Sequence, residues 1–159
     1  MRNVFRDKQH KELIDRLTTR GNNDVKLFET IKSLQCFAAL IGFHIKKRIP
    51  IEKNGAEHID WGIFDSKGHA EYIFLIALTE NNDIQILDDN KESSSTDFIQ
   101  IFEEYANAGF YKINEWLKNI PDAINDDYHI MIGLEQLLPE LLNDKSDSKP
   151  LKGFEFKNA

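Results

Sequence analysis

The sequence predicts a single compact domain, mainly α-helical, of about five helices with one small β-hairpin. Apolar residues recur at three- and four-residue spacing along most of the chain, which is the signature of helices with one buried face. A length of 159 residues is one domain's worth of chain, long enough to bury a core without disulfides. Only around Asn54-Gly55 does a turn signal sit between two short runs rich in isoleucine, so only there is a hairpin expected. These patterns set a helical domain over 1–142, with the hairpin near 48–64, and a polar tail over 143–159.

The first helix, over 5–18, turns Leu13, Ile14 and Leu17 inward and leaves Arg6, Lys8, Lys11 and Arg16 mostly outside. Gly21-Asn22-Asn23 breaks it, and Asp24 caps a second helix over 25–41. Phe28, Ile31, Leu34, Phe37, Ala38 and Ile41 form its wide apolar stripe. Gly42 suits a left-handed C-cap, and the small pair Ala38-Ala39 invites the close approach of another helix. In the hairpin a two-residue loop sets Ile51 opposite His58, whereas an odd loop sets Ile51 opposite Ile59 and Ile49 opposite Trp61 on one face. The odd loop is favoured, and Pro50, which cannot donate to a ladder, marks an edge strand.

Ser66 caps a third helix over 68–80, crowded with Tyr72, Ile73, Leu75, Ile76 and Leu78. That density predicts a helix covered on most sides. Asn81-Asn82-Asp83 ends it, 84–87 is a short strand or a docked segment, and 88–95 is a solvated loop. Thr96 caps the next helix, where Phe98, Ile101, Phe102, Tyr105, Ile113 and Leu117 keep helical spacing. Gly109 marks either a break or a close contact in it. Pro121 opens the last helix, cored by Ile130, Leu134, Leu137, Leu138 and Leu141.

The formal charge of −7 is unevenly spread: residues 1–53 carry +6 and the remainder −13. Either the two parts fold onto each other and neutralise, or each faces a partner of its own. Arg6, Lys11, Lys46, Lys47 and Arg48 are the candidates for phosphate contacts to nucleic acid. Asp88, Asp89, Asp97, Glu103 and Glu104 are the candidates for an acidic surface that meets a partner protein. On the helix that carries the last pair, Phe102, Tyr105 and Gly109 form the inward ridge, with Glu103, Glu104 and Asn107 pointing elsewhere.

Catalytic spacing is absent from the sequence. The five histidines show no HExxH or i, i+4 pair, and there is no C-x-x-C, so neither metal nor cofactor is expected. His58-x-Asp60 and the run Asp126 to His129 read as polar residues of a wet strand face and a helix start. Asp60 with Asp65-Ser66-Lys67 has the letters of a metal-dependent nuclease, but the residues crowd one strand and its exit. Cys36 lies alone in an apolar run and reads as a buried structural thiol. There is no run of roughly 18 apolar residues to span a membrane. The first residues lack an apolar signal core, so a cytoplasmic location is expected.

Two segments are distinctive together: Phe28-Glu29-Thr30-Ile31-Lys32 running on to Phe37-Ala38-Ala39-Leu40-Ile41-Gly42, and Ile101-Phe102-Glu103-Glu104-Tyr105-Ala106-Asn107-Ala108-Gly109. With the segment between them, over roughly 6–140, the chain resembles the small Dnd-system-associated proteins, specifically the associated protein 4 family. The resemblance implies an accessory protein of a bacterial DNA phosphorothioation system, in which sulfur replaces a phosphate oxygen, and of its linked restriction. It implies no catalytic residues. The leading expectation is therefore a non-enzymatic protein that contacts a protein component of such a defence system. A DNA-binding regulator using the basic N-terminal third comes second, and a metal-dependent hydrolase last. An uncovered helix face would suit a homodimer.

Overall fold

Two helices that meet through small residues organise the chain. The computed structural model describes residues 1–19, 26–52, 56–66, 68–82, 98–119 and 125–143, with side chains to 137. Among them the order is β1 (Val4–Arg6), a 3-10 turn (Lys8–His10), α1 (Lys11–Thr18), α2 (Ile31–His44), β2 (Glu57–Ile59), α3 (Trp61–Asp65), α4 (Ala70–Asn81), α5 (Phe98–Leu117) and α6 (Asp126–Asn143). The mainly α class with one two-stranded antiparallel sheet is as the periodicity predicts.

The centre is α5, buried at every position from 101 to 110. Against it α2 crosses at backbone contact. A Cβ on Gly109 would lie 1.8 Å from the Ala38 carbonyl oxygen, and one on Gly42 would lie 2.0 Å from that of Tyr105. Side-chain ridges normally hold helix axes about 8–10 Å apart, and glycines opposite Ala38 and Tyr105 remove the ridge. Edge-on ring pairs flank the crossing, Phe43 with Tyr105 at 5.3 Å and Phe64 with Phe102 at 5.7 Å. The same core takes Leu13, Ile14 and Leu17 from α1, Ile73 and Ile76 from α4, and Ile130 and Leu137 from α6.

Several elements depart from the pattern. Gly42 is not a cap but an interior residue of α2. The left-handed conformation falls to Lys46 (φ 52°), with the Lys46 and Lys47 N–H groups closing the helix on the Phe43 and Gly42 carbonyls. Thr30 caps α2 by accepting from the Ser33 N–H at 3.1 Å. Phe28 precedes the helix, its N–H bonded to the Leu17 carbonyl. Phe5 is a strand residue, because the Asp7 carboxylate accepts from the Gln9 N–H and starts the 3-10 turn only after β1.

The sheet uses a strand other than the expected one. Val4 stands opposite Ile59, Phe5 opposite His58 and Arg6 opposite Glu57, so Ile59 does not meet Ile51. The 49–52 segment is held elsewhere: the Ile49 N–H bonds to the Glu104 carbonyl, and the Ile49 and Pro50 carbonyls accept from Asn107. Trp61 starts α3 instead of closing a strand. Ser66 does not start the next helix but ends α3, its N–H bonded to the Gly62 carbonyl and its hydroxyl to the Ile63 carbonyl, and α4 starts after His69. That helix is covered on one side only, with Tyr72 39% and Leu75 59% exposed, and left-handed Asn82 ends it. Gly109 produces no break: α5 is one helix of 20 residues. Asp24, Asn54-Gly55, 84–95, Thr96, Pro121 and the tail beyond Asn143 lie outside the described residues, as do the side chains of Leu138 and Leu141.

The crossing sets a clear expectation. Gly109→Ala should cost about 3 kcal/mol or more in urea denaturation, since a methyl there meets main chain that cannot yield. Gly62→Ala, in α3 with nothing within 4 Å of the added carbon, should change stability by no more than about 1 kcal/mol, in the favourable direction.

Candidate functional site

Burying a whole stretch of α5 forces its polar residues to find partners inside the protein. Glu103 is 5% exposed, Glu104 8% and Asn107 2%, so all three lie between layers and not on a wet face. Glu103 receives a fork from Arg2, Nη1 to Oε1 at 2.6 Å and Nη2 to Oε2 at 2.8 Å, and the Phe5 N–H also donates to Oε1. Glu104 accepts from Arg48 Nε at 2.9 Å and Nη2 at 2.7 Å, while Gln100 donates to its other oxygen. Arg48 also approaches Glu80 at 3.5 Å, and the Tyr105 hydroxyl donates to that carboxylate at 2.7 Å. Burial and the Glu80 carboxylate together push the Tyr105 hydroxyl well above the usual tyrosine range.

Asn107 is the third clamp. Its Nδ2 donates to the Ile49 and Pro50 carbonyls, so its Oδ1 faces His10 Nε2, 2.6 Å away. His10 Nε2 must therefore carry the proton, which fixes the tautomer. The imidazole lies against Phe110 and Tyr111, and burial lowers its pKa, opposed by the Asn107 bond and the Asp7 charge.

The sequence-predicted nucleic-acid contacts scatter. Arg6 is buried beside β2, donating from Nη2 to Glu57 at 2.6 Å, and its Nε and Nη1 have no acceptor among the described residues. Arg48 is spent on Glu104. Lys11 is exposed, 3.6 Å from Asp15 and 3.8 Å from Glu57, and Lys46 and Lys47 are exposed at the turn after α2. Arg16 forks onto buried Asp126 and ties α1 to α6. The basic first third thus meets the acidic remainder through Arg2, Arg6, Arg16 and Arg48. Of the acidic candidates, Glu103 and Glu104 hold the interior together, while Asp88, Asp89 and Asp97 lie outside the described residues.

Asp60 and Asp65 stand at opposite ends of α3, with Lys67 outside the described residues. Among the described residues no group of three or more His, Cys, Asp or Glu side chains could hold a metal ion. Cys36 is 4% exposed, and burial pushes its thiol up to about 12. Among the described residues no helix is long and apolar enough to cross a membrane.

Beside the two glutamates lies a cleft of about 460 Å³ between β1, the 49–52 segment and the start of α5. Phe5, Pro50, Ile51 and Ala56 give it apolar walls, with Glu103 and Glu104 at its polar side and Arg2 and Gln100 at its rim. The sequence did carry a signal for this network. The glutamates follow Ile101-Phe102 and precede Tyr105-Ala106, so apolar residues surround them on every side of the helix.

A family model described as DNA sulphur modification system-associated protein 4 matches residues 3–149. The chain belongs to that family. The match includes β1 and every helix described above, and it extends past the end of α6. No curated protein and no solved structure matches the chain. The family's description ties this member to a DNA sulphur modification system, and both of its distinctive segments, on α2 and α5, contribute to the crossing or the buried network.

Two measurements test the network. Glu103→Ala should cost about 3 kcal/mol, because it strands the Phe5 N–H and the Arg2 fork, whereas Arg2→Ala should cost about 1 kcal/mol. His10 binds its proton less readily folded than unfolded, so stability should fall as pH drops below about 6.5, the unfolded value, and level off below the folded one. His10→Gln, which still donates to Asn107, should flatten that part of the profile of urea midpoints.

Proposed function

We propose that this family member is a non-enzymatic accessory protein of a DNA-modification defence system, working in the cytoplasm by contact with one of the system's own proteins. The observation that carries this reading is the internal neutralisation of the charged groups. Among the described residues Arg2, Arg6, Arg16 and Arg48 of the basic third are engaged with Glu103, Glu57, Asp126 and Glu104, which supports a role for them in building the fold and not in a phosphate-binding face. Buried polar side chains act as clamps, Gln35 on the Phe5 carbonyl and His10 on Asn107, and Cys36 is a buried, protonated thiol. Outward-facing Tyr72 and Leu75 on α4, and Tyr128 and Met131 on α6, offer apolar surface to a partner or to a second copy.

Affinity-tagged protein isolated from a host that carries the system should bring down a modification or restriction component, identified by mass. Purified protein should give no shift of duplex DNA, phosphorothioated or not, at about 0.15 M salt. A shift that disappears when Lys46 and Lys47 are changed to Glu would replace this reading with the DNA-binding one.

A further inference from the structure

We propose that the cleft between β1, the 49–52 segment and the start of α5 docks an extended, uncharged segment of a partner protein, which pairs its backbone with Ile51 and sets an apolar side chain in the cleft. This rests on the reading of the protein as one that works by protein contact. The charges around the cleft narrow the occupant first. Glu103 is matched by the Arg2 fork and the Phe5 N–H, and Glu104 by Arg48 and Gln100, so both carboxylates on the polar side already have their partners inside the fold. A charged side chain entering there gives up its water and finds no unmatched group of opposite sign among the described residues. An uncharged one enters without that loss. The walls then favour an apolar group. At about 460 Å³ the cleft has room for one or two side chains, and its wall residues Phe5, Pro50, Ile51 and Ala56 are each still partly exposed. Covering them removes apolar surface from water.

Ile51 supplies the directional contact. On one side of it the Ile49 N–H bonds to the Glu104 carbonyl, and the Ile49 and Pro50 carbonyls accept from Asn107. On the other side the Glu52 N–H donates to Asp7. Between these anchors neither the N–H nor the C=O of Ile51 has a hydrogen bond among the described residues. The anchors hold this donor and acceptor in place beside the cleft, so little order is lost when an extended backbone pairs with both. Backbone pairing fixes the direction of the incoming segment, and the cleft reads its side chain. The Phe5 backbone across the cleft offers no such pair, because its N–H is taken by Glu103 and its carbonyl by Gln35.

Fluorescence anisotropy on the purified full chain tests this with a labelled peptide of alternating threonine and leucine, beside versions with aspartate or lysine in place of the leucines. The leucine peptide should bind at least about tenfold more tightly than either charged version. N-methylation of one alternate set of its amides should abolish binding, and of the other set should leave it, since only one set faces Ile51. Ala56→Trp, which fills the cleft, and Ile51→Pro, which removes an N–H that the fold does not use, should each weaken binding about tenfold with circular dichroism unchanged. Ile51→Val should bind as the unaltered protein does. The methylated peptides need no variant, so the test stands even where a substitution disturbs the fold. Equal binding of leucine and charged peptides, equal effects of the two methylation patterns, or no binding of the leucine peptide at about 1 mM overturns the proposal. The broader reading fails separately: if Ala56→Trp still captures the system component, the cleft falls and the accessory role stands, whereas no capture by the unaltered protein sinks the role itself.

Discussion

The contact of the α2 backbone with that of α5, where Gly109 meets Ala38 and Gly42 meets Tyr105, is the constraint from which the other arrangements follow. At that separation no side chain fits between the axes, and α5 is drawn into the middle of the protein. The remaining helices and the N-terminal strand then close over its other sides. Glu103, Glu104 and Asn107 are thereby sealed between layers. A buried carboxylate without partners costs several kcal/mol, so each must recruit a donor from another element. Arg2 and β1, Arg48 and the turn after α2, and His10 before α1 are those donors and their carriers, while the 49–50 carbonyls accept from the Asn107 amide. The left-handed Lys46 belongs to the same logic, since that turn aims Arg48 at Glu104.

Much of the helical pattern was legible because helix periodicity is a local signal. Leu13, Ile14 and Leu17 on α1, the stripe of α5, and the invitation to close packing at Ala38-Ala39 all read correctly from spacing. Three features did not. Gly42 looks like a cap because glycine favours that position, but here its missing side chain serves a helix more than sixty positions along. The strand at 57–59 has a good local partner in Ile51, yet it pairs with residues near the start of the chain, because Asn107 has already claimed the carbonyls of 49 and 50. Adjacent glutamates read as a solvated pair, and their burial depends on arginines 101 and 56 positions away. Each miss is an interaction between residues distant in sequence, for which neither period nor propensity carries information.

The same network joins the +6 and −13 parts of the chain at four places among the described residues. Four arginines, of which only Arg6 is buried, each face at least one carboxylate from the later part. Arginine suits that role: its forked, permanently charged head binds carboxylates in two places and tolerates partial burial better than lysine. Of the lysines of the first third, Lys8, Lys11, Lys46 and Lys47 stay at the surface, while Lys32 is buried and donates to the Ile63 carbonyl. Part of the electrostatic asymmetry of the sequence is therefore a property of how the chain closes.

Cys36 bears on sulphur chemistry in another way. A thiol can accept or relay a sulfur atom only as a thiolate that meets its donor. The single cysteine of the chain is packed within α2 against the core and keeps its proton far above neutral pH. While the fold is closed, that thiol stays protonated and out of contact with solvent. When α2 comes away from the core the thiol becomes reactive, so its rate of capture by a thiol reagent is a clock for how often the centre of the molecule opens.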